Sequence, residues 1–494
     1  MSRFTSWERL AHASADEVRA IQDKALRTYV TQELYPFSKY YRRVFDEAGV
    51  KPGDIRTVSD LARLPFTTKS DFATAQAHAD TKRDFVVLPT PKGIKQAWPF
   101  SRKFALVLGG KAAREALAHS YRPNFLTFTT GRSAEPVAFA YTPHDLDILS
   151  EAGARMLNVH GIVDPMARIV NMFPFAPHLA FWAATMAGFR TGRLMVPTGG
   201  GKVMGTSGNL RLIERTQPDT LIGTPGFVYH VLRYARTEGA DLSSIKLVIL
   251  GAEKVPPGLK GKMTDALSAC GASDVTISGT YGFTEARMAF PECPTAHDVS
   301  SGYHTYPDLG LFEVVDPETG EQLGEGETGE LVYSSLSGHG TTVFRYRTGD
   351  IAVGGITTAA CPHCGRSVPR ISSELRRASE RKSMSLTKVK GTLVDLSHIG
   401  TLLSSHALIE EWQVVLTKRD NDPYGLDELT VRLTTKAGSN AEDVERELRR
   451  EILEATEISP NHFEFHPLDK LLALLGMETE MKEKRYLDER PTAS

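Results

Sequence analysis

From about Phe125 the chain alternates short apolar runs with helical stretches, and this alternation restricts its fold more than any other feature. Ala167–Phe173, Arg193–Pro197, Thr220–Thr224 and Ile245–Leu250 read as strands; Leu179–Gly188, Asn209–Thr216 and Phe227–Glu238 read as the helices between them. Strands that are apolar along their whole length are buried on both faces, so the pattern predicts parallel sheets covered by helices. Upstream, Trp7–Tyr29 carries Leu10, Ala11, Val18, Ile21 and Ala25 at mixed helical spacing within a helical and loop-rich N-terminal region. Beyond Gly310 the text becomes β-rich, with strands at Phe312–Val315 and Gly329–Ser334 around a turn at Pro317–Gly320. The polar stretch Ser372–Thr387 reads as a linker. A small α+β unit follows, with strands Glu411–Thr417 and Leu429–Thr434 and a helix Ala441–Ile458 whose Val444, Leu448, Ile452 and Ala455 share a face. The expected fold class is α/β: a large N-terminal domain, residues 1–380, with helix-covered sheets and a β-rich subdomain, and a small α+β C-terminal domain, residues 381–494.

A formal net charge of -2 on 494 residues leaves no domain-wide basic excess, so neither a nucleic acid nor a membrane surface is an expected partner. Met1–Ala25 lacks a basic start followed by an apolar core, and the most apolar stretch, Phe173–Ala187, is broken by Pro174, Pro177 and His178. A cytoplasmic location is the resulting expectation. The cysteines are four and unevenly placed. Cys361-Pro-His-Cys364 is a Cys-x₂-Cys knuckle, half of a zinc site, and Cys293 with His297 or His304 would complete a Cys₃His set that closes all four positions and so suits a structural ion. Cys270 reads as a core residue.

Four segments carry candidate chemistry. Phe128–Pro136 (FTTGRSAEP) follows an apolar run and has the hydroxyl-and-glycine text of a phosphate loop, in which Thr129, Thr130, Gly131 and Ser133 would surround phosphate oxygens. Leu250–Lys254 (LGAEK) leaves a strand where open α/β sheets place ligands, putting Gly251, Ala252 and Glu253 at a candidate site. Tyr281–Glu285 (YGFTE) follows the strand-like Asp274–Ser278: Tyr281 or Phe283 can stack on a base, Gly282 permits close backbone approach, Thr284 can bind phosphate and Glu285 can hold Mg²⁺. Tyr346–Asp350 (YRTGD) presents a carboxylate after a turn, able to accept both hydroxyls of a ribose. Phe175, His178, Trp182 and Phe227, with Gly279 and Thr280, would form a flat apolar slot with one polar group, which suits an aromatic acid. Trp182 alone reads better as core, and His178 as equally a structural residue.

In this order the segments resemble the adenylate-forming superfamily of acyl-CoA synthetases, adenylation domains and luciferases, and within it the phenylacetate–CoA ligase branch. The resemblance runs from about Phe125 to the C-terminus. It implies ATP, Mg²⁺ and coenzyme A as cofactors, a structural Zn²⁺, and a carboxylic acid as substrate. It further implies that Arg485-Tyr-Leu-Asp-Glu-Arg490 is the family's ending, which makes Lys482 the catalytic lysine, with Lys484 the next choice. By the same resemblance Glu253 and Tyr281 belong to the adenine region, Asp350 to the ribose, His304 rather than His297 to the zinc, and the C-terminal domain is mobile. Lys388-Val-Lys390-Gly391 resembles the basic turn of the thiol tunnel just beyond the hinge. Two departures stand out: Ala134-Glu135 replaces the family's Gly-Lys in the phosphate loop, and Arg381-Lys-Ser-Met384 is the nearest text to its hinge. A carboxylate near a triphosphate is unfavourable unless it points away or binds metal. The implied activity is an AMP-forming aryl acid–CoA ligase. A carrier protein or amine as acceptor, and a nucleotide-binding protein of reduced catalysis, are the alternatives. A homodimer is left open.

Overall fold

A computed structural model describes residues 4–129, 136–253, 255–293, 295, 299–377, 386–389, 392–422, 426–456, 458–480 and 483–491. The chain divides into two compact units, one of Met1–Ile169, Phe175–Met195 and Ser278–Arg376, the other of Val170–Pro174, Val196–Ile277 and Arg377–Ser494.

In the first unit, helices Trp7–Ala11 and Ala15–Tyr29 open the chain. The second starts on a capping box in which Ser14 and Glu17 satisfy each other's backbone N–H groups. Phe125–Phe128 pairs antiparallel with Ala138–Tyr141, so the two ends of the phosphate-loop text are strand-anchored. Helices Pro143–Val159 and Leu179–Thr191 follow. Thr280–Phe283 and Met288–Pro291 form an antiparallel hairpin. A four-stranded sheet has the order Gly310–Val315, Gly329–Ser335, Tyr346–Ala352, Leu375–Arg377, and a three-stranded one the order Ile356–Thr357, Arg370–Ile371, Tyr303–His304. Leu10, Leu26, Tyr41, Phe72, Phe139, Tyr306 and Phe344 lie in its apolar core.

The second unit holds the parallel pair Thr220–Gly223 and Leu247–Leu250, every residue buried, as the unbroken apolar runs require. Helices Gly201–Thr216, Pro225–Glu238 and Pro257–Ala269 belong to the same unit. Its C-terminal part is a four-stranded sheet in the order His462–Phe465, Asp427–Thr435, Ile409–Lys418, Tyr486–Asp488, with helix Ala441–Thr456 burying Val444, Leu448 and Ile452. Among the described residues no helix is long and apolar enough to cross a membrane.

Three expectations are corrected. The helix expected from Asn209 begins already at Gly201 and kinks at Gly205 (φ 64°), because its glycines hide the apolar period. Part of the supposed linker, Leu375–Arg377, is a strand of the four-stranded sheet; residues 378–385 lie outside the described residues. Tyr346–Asp350 is no turn. It lies within a strand whose register shifts opposite Glu330–Val332, and Gly349 takes φ 74°, so a bulge gives the text its turn-like look.

Candidate functional site

The two most specific motifs are brought together by the first unit. Tyr281–Phe283 ends the strand Thr276–Phe283, rather than following it, and Thr284–Ala286 is a single 3₁₀ turn. Across from it stands Tyr346–Ala352. The Tyr281 hydroxyl donates to Asp350 Oδ2 at 2.9 Å, and the Tyr346 hydroxyl donates to Glu285 Oε1 at 2.8 Å. Each motif thus orients the carboxylate of the other. All four residues are buried, and a buried carboxylate held by a phenol keeps a fixed direction. Asp350 is fixed further by its own N–H, which donates to Thr348 Oγ1 at 3.0 Å. Phe283 lies edge-on to Tyr333, while Gly282 is exposed.

The other expected residues are placed as follows. Thr129 is buried and clasps the loop's far end: its N–H donates to the Val137 carbonyl at 3.0 Å and its Oγ1 accepts from the Val137 N–H at 3.1 Å. Thr130, Gly131, Ser133, Arg381, Lys390, Gly391, His297 and Lys482 lie outside the described residues. Gly279 donates its N–H to Glu292 Oε2 at 2.6 Å, beside a half-buried Thr280. In the second unit the Gly251 N–H reaches the Gly223 carbonyl at 3.2 Å, Ala252 is left-handed (φ 70°), and Glu253 is half-buried.

The residues expected to form the aromatic slot are divided between the units. Phe175, His178 and Trp182 fall in the first unit and Phe227 in the second. Phe175 is exposed rather than walled in, its ring touching Phe181 and Trp182 at 5.1 and 6.0 Å. His178 Nδ1 meets the Phe128 carbonyl at 3.1 Å, and Trp182 Nε1–H donates to the Ala176 carbonyl at 3.2 Å, so both tie down the Pro-rich loop. Phe227 is buried and lines a cavity of about 20 Å³ with Met172, Thr224, Lys202, Glu480 and Glu483.

That cavity leads to Glu483, which no sequence pattern marked. The Glu483 side chain is 7% exposed, and Arg485 Nε donates to its Oε2 at 2.5 Å. Arg485 also pairs with Glu411 at 2.9 Å, and Glu411 lies 3.6 Å from Arg233. Burial pushes the Glu483 carboxyl up, against the pull of Arg485. Nothing in a run of alternating charges distinguishes this buried chain of ions from a solvated tail. Gly226 makes room for it: a Cβ there would stand 1.3 Å from Glu483 Oε1. Gly226→Ala is expected to destabilise the protein by about 1–3 kcal/mol through overpacking, read as a lowered melting temperature. An unchanged melting temperature would place Glu483 elsewhere in solution.

The expected metal ligands converge. One ligand atom each from Cys293, His304, Cys361 and Cys364 lies within 4.8 Å of all the others. Ligands at zinc's bond lengths stand roughly 3.5–4 Å apart in a tetrahedron, so a small contraction of this set fits the ion. His304 is wholly buried on its strand, with Nε2 at 3.5 Å from Cys364 Sγ. The knuckle closes through the Cys361 N–H, which donates to the Arg366 carbonyl, and the Gly365 N–H, which donates back to the Cys361 carbonyl. The Cys293 thiol, donating a hydrogen bond to Cys364 Sγ, drives Cys364 toward the thiolate, the form a metal needs. The Cys₃His donor set is soft, closed and redox-inert with zinc.

Residues 39–342 match the family described as AMP-binding enzyme. The phenylacetate-coenzyme A ligase of Thermus thermophilus is 26% identical over 462 residues, covering 93% of this chain and 89% of that protein. The Escherichia coli phenylacetate-coenzyme A ligase is 26% identical over 439 residues, 88% of this chain and 86% of its own. Among solved structures, 2-hydroxyisobutyryl-CoA ligase in the postadenylation state superposes with a TM-score of 0.74 at 19% identity, over 99% of this chain and 94% of that one. At that identity the likeness is one of fold.

Proposed function

Because this chain belongs to the AMP-binding enzyme family, we propose that it activates an aromatic carboxylic acid with ATP and passes the acyl group to coenzyme A. The observation that carries this reading is the reciprocal pairing of Tyr281 with Asp350 and of Tyr346 with Glu285. It builds two fixed, buried carboxylates from the two motifs a nucleotide would need. Similarity to proteins named phenylacetate-coenzyme A ligase supports an aromatic acid and a thiol acceptor.

In the first half-reaction a carboxylate oxygen of the acid bonds to the α-phosphorus of ATP and the bond to the pyrophosphate oxygen breaks. In the second the thiol sulfur bonds to the acyl carbon, AMP departs, and the thiol proton goes to solvent. Such chemistry is chiefly positioning and charge stabilisation. Glu285 would hold Mg²⁺, whose charge offsets that of the phosphates; Thr284 and the Thr129–Ser133 loop would contact phosphate; Asp350 would take the ribose hydroxyls, and Tyr281 and Glu253 the adenine region. Phe227, Gly279 and Thr280 would flank the acid. Lys482 would neutralise charge growing between acid and phosphate. Arg381 would mark the hinge near residue 380, and Lys390-Gly391 the thiol path. Cys293, His304, Cys361 and Cys364 would hold one zinc for structure.

Incubation with ATP, Mg²⁺, coenzyme A and a panel of aromatic acids, including amino- and hydroxybenzoates, tests the reading. The expected products are an aryl-CoA thioester, AMP and pyrophosphate in equal amounts. Adenylate that accumulates with coenzyme A present, and is discharged only by a carrier protein or an amine, would contradict the acceptor.

A further inference from the structure

The loop that carries Thr284 and Glu285 ends on an unusual residue. Arg287 adopts the left-handed conformation (φ 59°, ψ 22°) between the 3₁₀ turn and the return strand Met288–Pro291. Glycine or asparagine is the ordinary choice there, since a Cβ is disfavoured in that region. Something outside the loop must therefore hold it. The Arg287 side chain is buried, and its guanidinium donates to Asp145 Oδ1 at 2.8 Å.

Asp145 is an unusually well-fixed anchor. Its Oδ1 also accepts the His339 N–H at 2.9 Å, while Oδ2 accepts the N–H and hydroxyl of Thr142, both at 2.8 Å, and the Gly340 N–H at 2.7 Å. It thereby caps helix Pro143–Val159 and clasps the Ser337–Gly340 turn at once. Burial pushes this carboxyl up, but Arg287, then His339 and His144, more than reverse that and bring it down to about 2. The packing round the guanidinium is close: a Cβ on Gly338 would stand 1.9 Å from an Arg287 nitrogen. The loop is thus pinned on one side by Arg287 to Asp145 and on the other by Glu285 to Tyr346.

We propose that Arg287 is a positioning residue: its ion pair with Asp145 holds the 284–287 loop in the conformation that directs Glu285 at the nucleotide's divalent cation. The proposal rests on the reading of Glu285 given above. The Arg287 guanidinium is committed to Asp145, so the residue would act through the backbone of the loop. An ordinary hairpin loop with glycine at this position would hold its shape without a distant partner, whereas this one depends on the helix that starts at Pro143.

The test is Mn²⁺ binding, followed by electron paramagnetic resonance with the α,β-methylene analogue of ATP, so that no turnover is required. Four variants are compared. Glu285→Gln gives the loss expected from removing the ligand itself. Arg287→Gly suits the backbone and removes the peg, leaving buried Asp145 on its four other donors without its main counter-charge, so its stability is measured alongside. Arg287→Lys keeps the charge but not the planar fork. Leu149→Ala, on the same helix's buried face, lowers stability by a core cavity and leaves the Arg287–Asp145 pair in place. Arg287→Gly is expected to weaken Mn²⁺ binding about tenfold or more, the usual scale for residues that orient a metal ligand. Arg287→Lys should recover part of that loss, and Leu149→Ala should lower the melting temperature with Mn²⁺ affinity unchanged. If Glu285→Gln weakens binding and neither Arg287 variant does, the positioning role is overturned while the reading of Glu285 stands. If Glu285→Gln itself has no effect, both fall. Should Arg287→Gly not fold, Arg287→Lys decides alone: full Mn²⁺ affinity would overturn the proposal.

Discussion

Lys482→Ala is expected to slow acyl-AMP formation by about a hundred- to a thousandfold, the order of magnitude for removing one charge-stabilising group from a phosphoryl or acyl transfer, while transfer from preformed acyl-AMP to the thiol stays within a few-fold of normal. The following residues explain why the change should be local. Glu483 is locked to Arg485, and Arg485 to Glu411 and to the Trp412 carbonyl at 3.2 Å, so the tail just beyond Lys482 is fixed by contacts the substitution leaves alone. The rival lysine is engaged elsewhere. Lys484 Nζ pairs with Glu480 at 2.7 Å on an exposed surface, where solvent screens the pair. Lys484→Ala should therefore leave adenylation within about twofold, because a screened surface pair is all it removes. Single-turnover measurements of the two half-reactions decide it. Equal loss of both in Lys482→Ala, or a loss in Lys484→Ala that matches it, would contradict the assignment.

The second large effect concerns the cysteine–histidine cluster. Metal analysis should find about one zinc per chain, and Cys361→Ala should release it and destabilise the protein by roughly 5 kcal/mol or more, given the large share of folding energy that structural zinc supplies. At about 2–4 °C per kcal/mol for units of this size, that is a fall of roughly 10–20 °C in melting temperature. The N-terminus should feel it first. The Ser367 N–H donates to the Ala11 carbonyl at 2.8 Å, and Arg366 and Trp7 both donate to Asn158 Oδ1, at 3.1 and 3.0 Å. The knuckle is thus fastened to the helix Trp7–Ala11, whose amides should lose hydrogen-exchange protection before the rest of the core. A metal-free protein of undiminished stability would rule the zinc out.

The parts of this molecule that were legible in its sequence were those in which local pattern and environment coincide. Thr220–Gly223 and Leu247–Leu250 are buried on both faces, so burial alone wrote their apolar runs. Cys361 and Cys364 read as ligands because a knuckle has a fixed spacing, Cys293 with a nearby histidine could complete the set, and His304 rather than His297 followed from the family resemblance; all four meet. The text failed where a special backbone imitates something else. Tyr346–Asp350 looked like a turn because Gly349 sits at a bulge, and the bulge lies between Tyr346, which holds Glu285, and Asp350. Gly205 and its neighbours erased the first half of a helix. Arg287 and Glu483 are the deeper omissions. A charged residue beside a motif, or within a charged tail, carries no mark of burial until the partner is seen, and Asp145 and Arg485 are partners only in three dimensions.

The central claim is that Tyr281–Glu285 and Tyr346–Asp350 together form a working nucleotide site for carboxylate activation. Exchange of labelled pyrophosphate into ATP tests it most directly, because it requires reversible acyl-AMP formation and no acceptor. Exchange is expected to depend on an aromatic acid and on Mg²⁺, and to fall sharply in Lys482→Ala. Absence of acid-dependent exchange across aromatic and aliphatic acids, in protein that still binds ATP, would contradict it and leave a nucleotide-binding protein in which Ala134-Glu135 has replaced the phosphate grip.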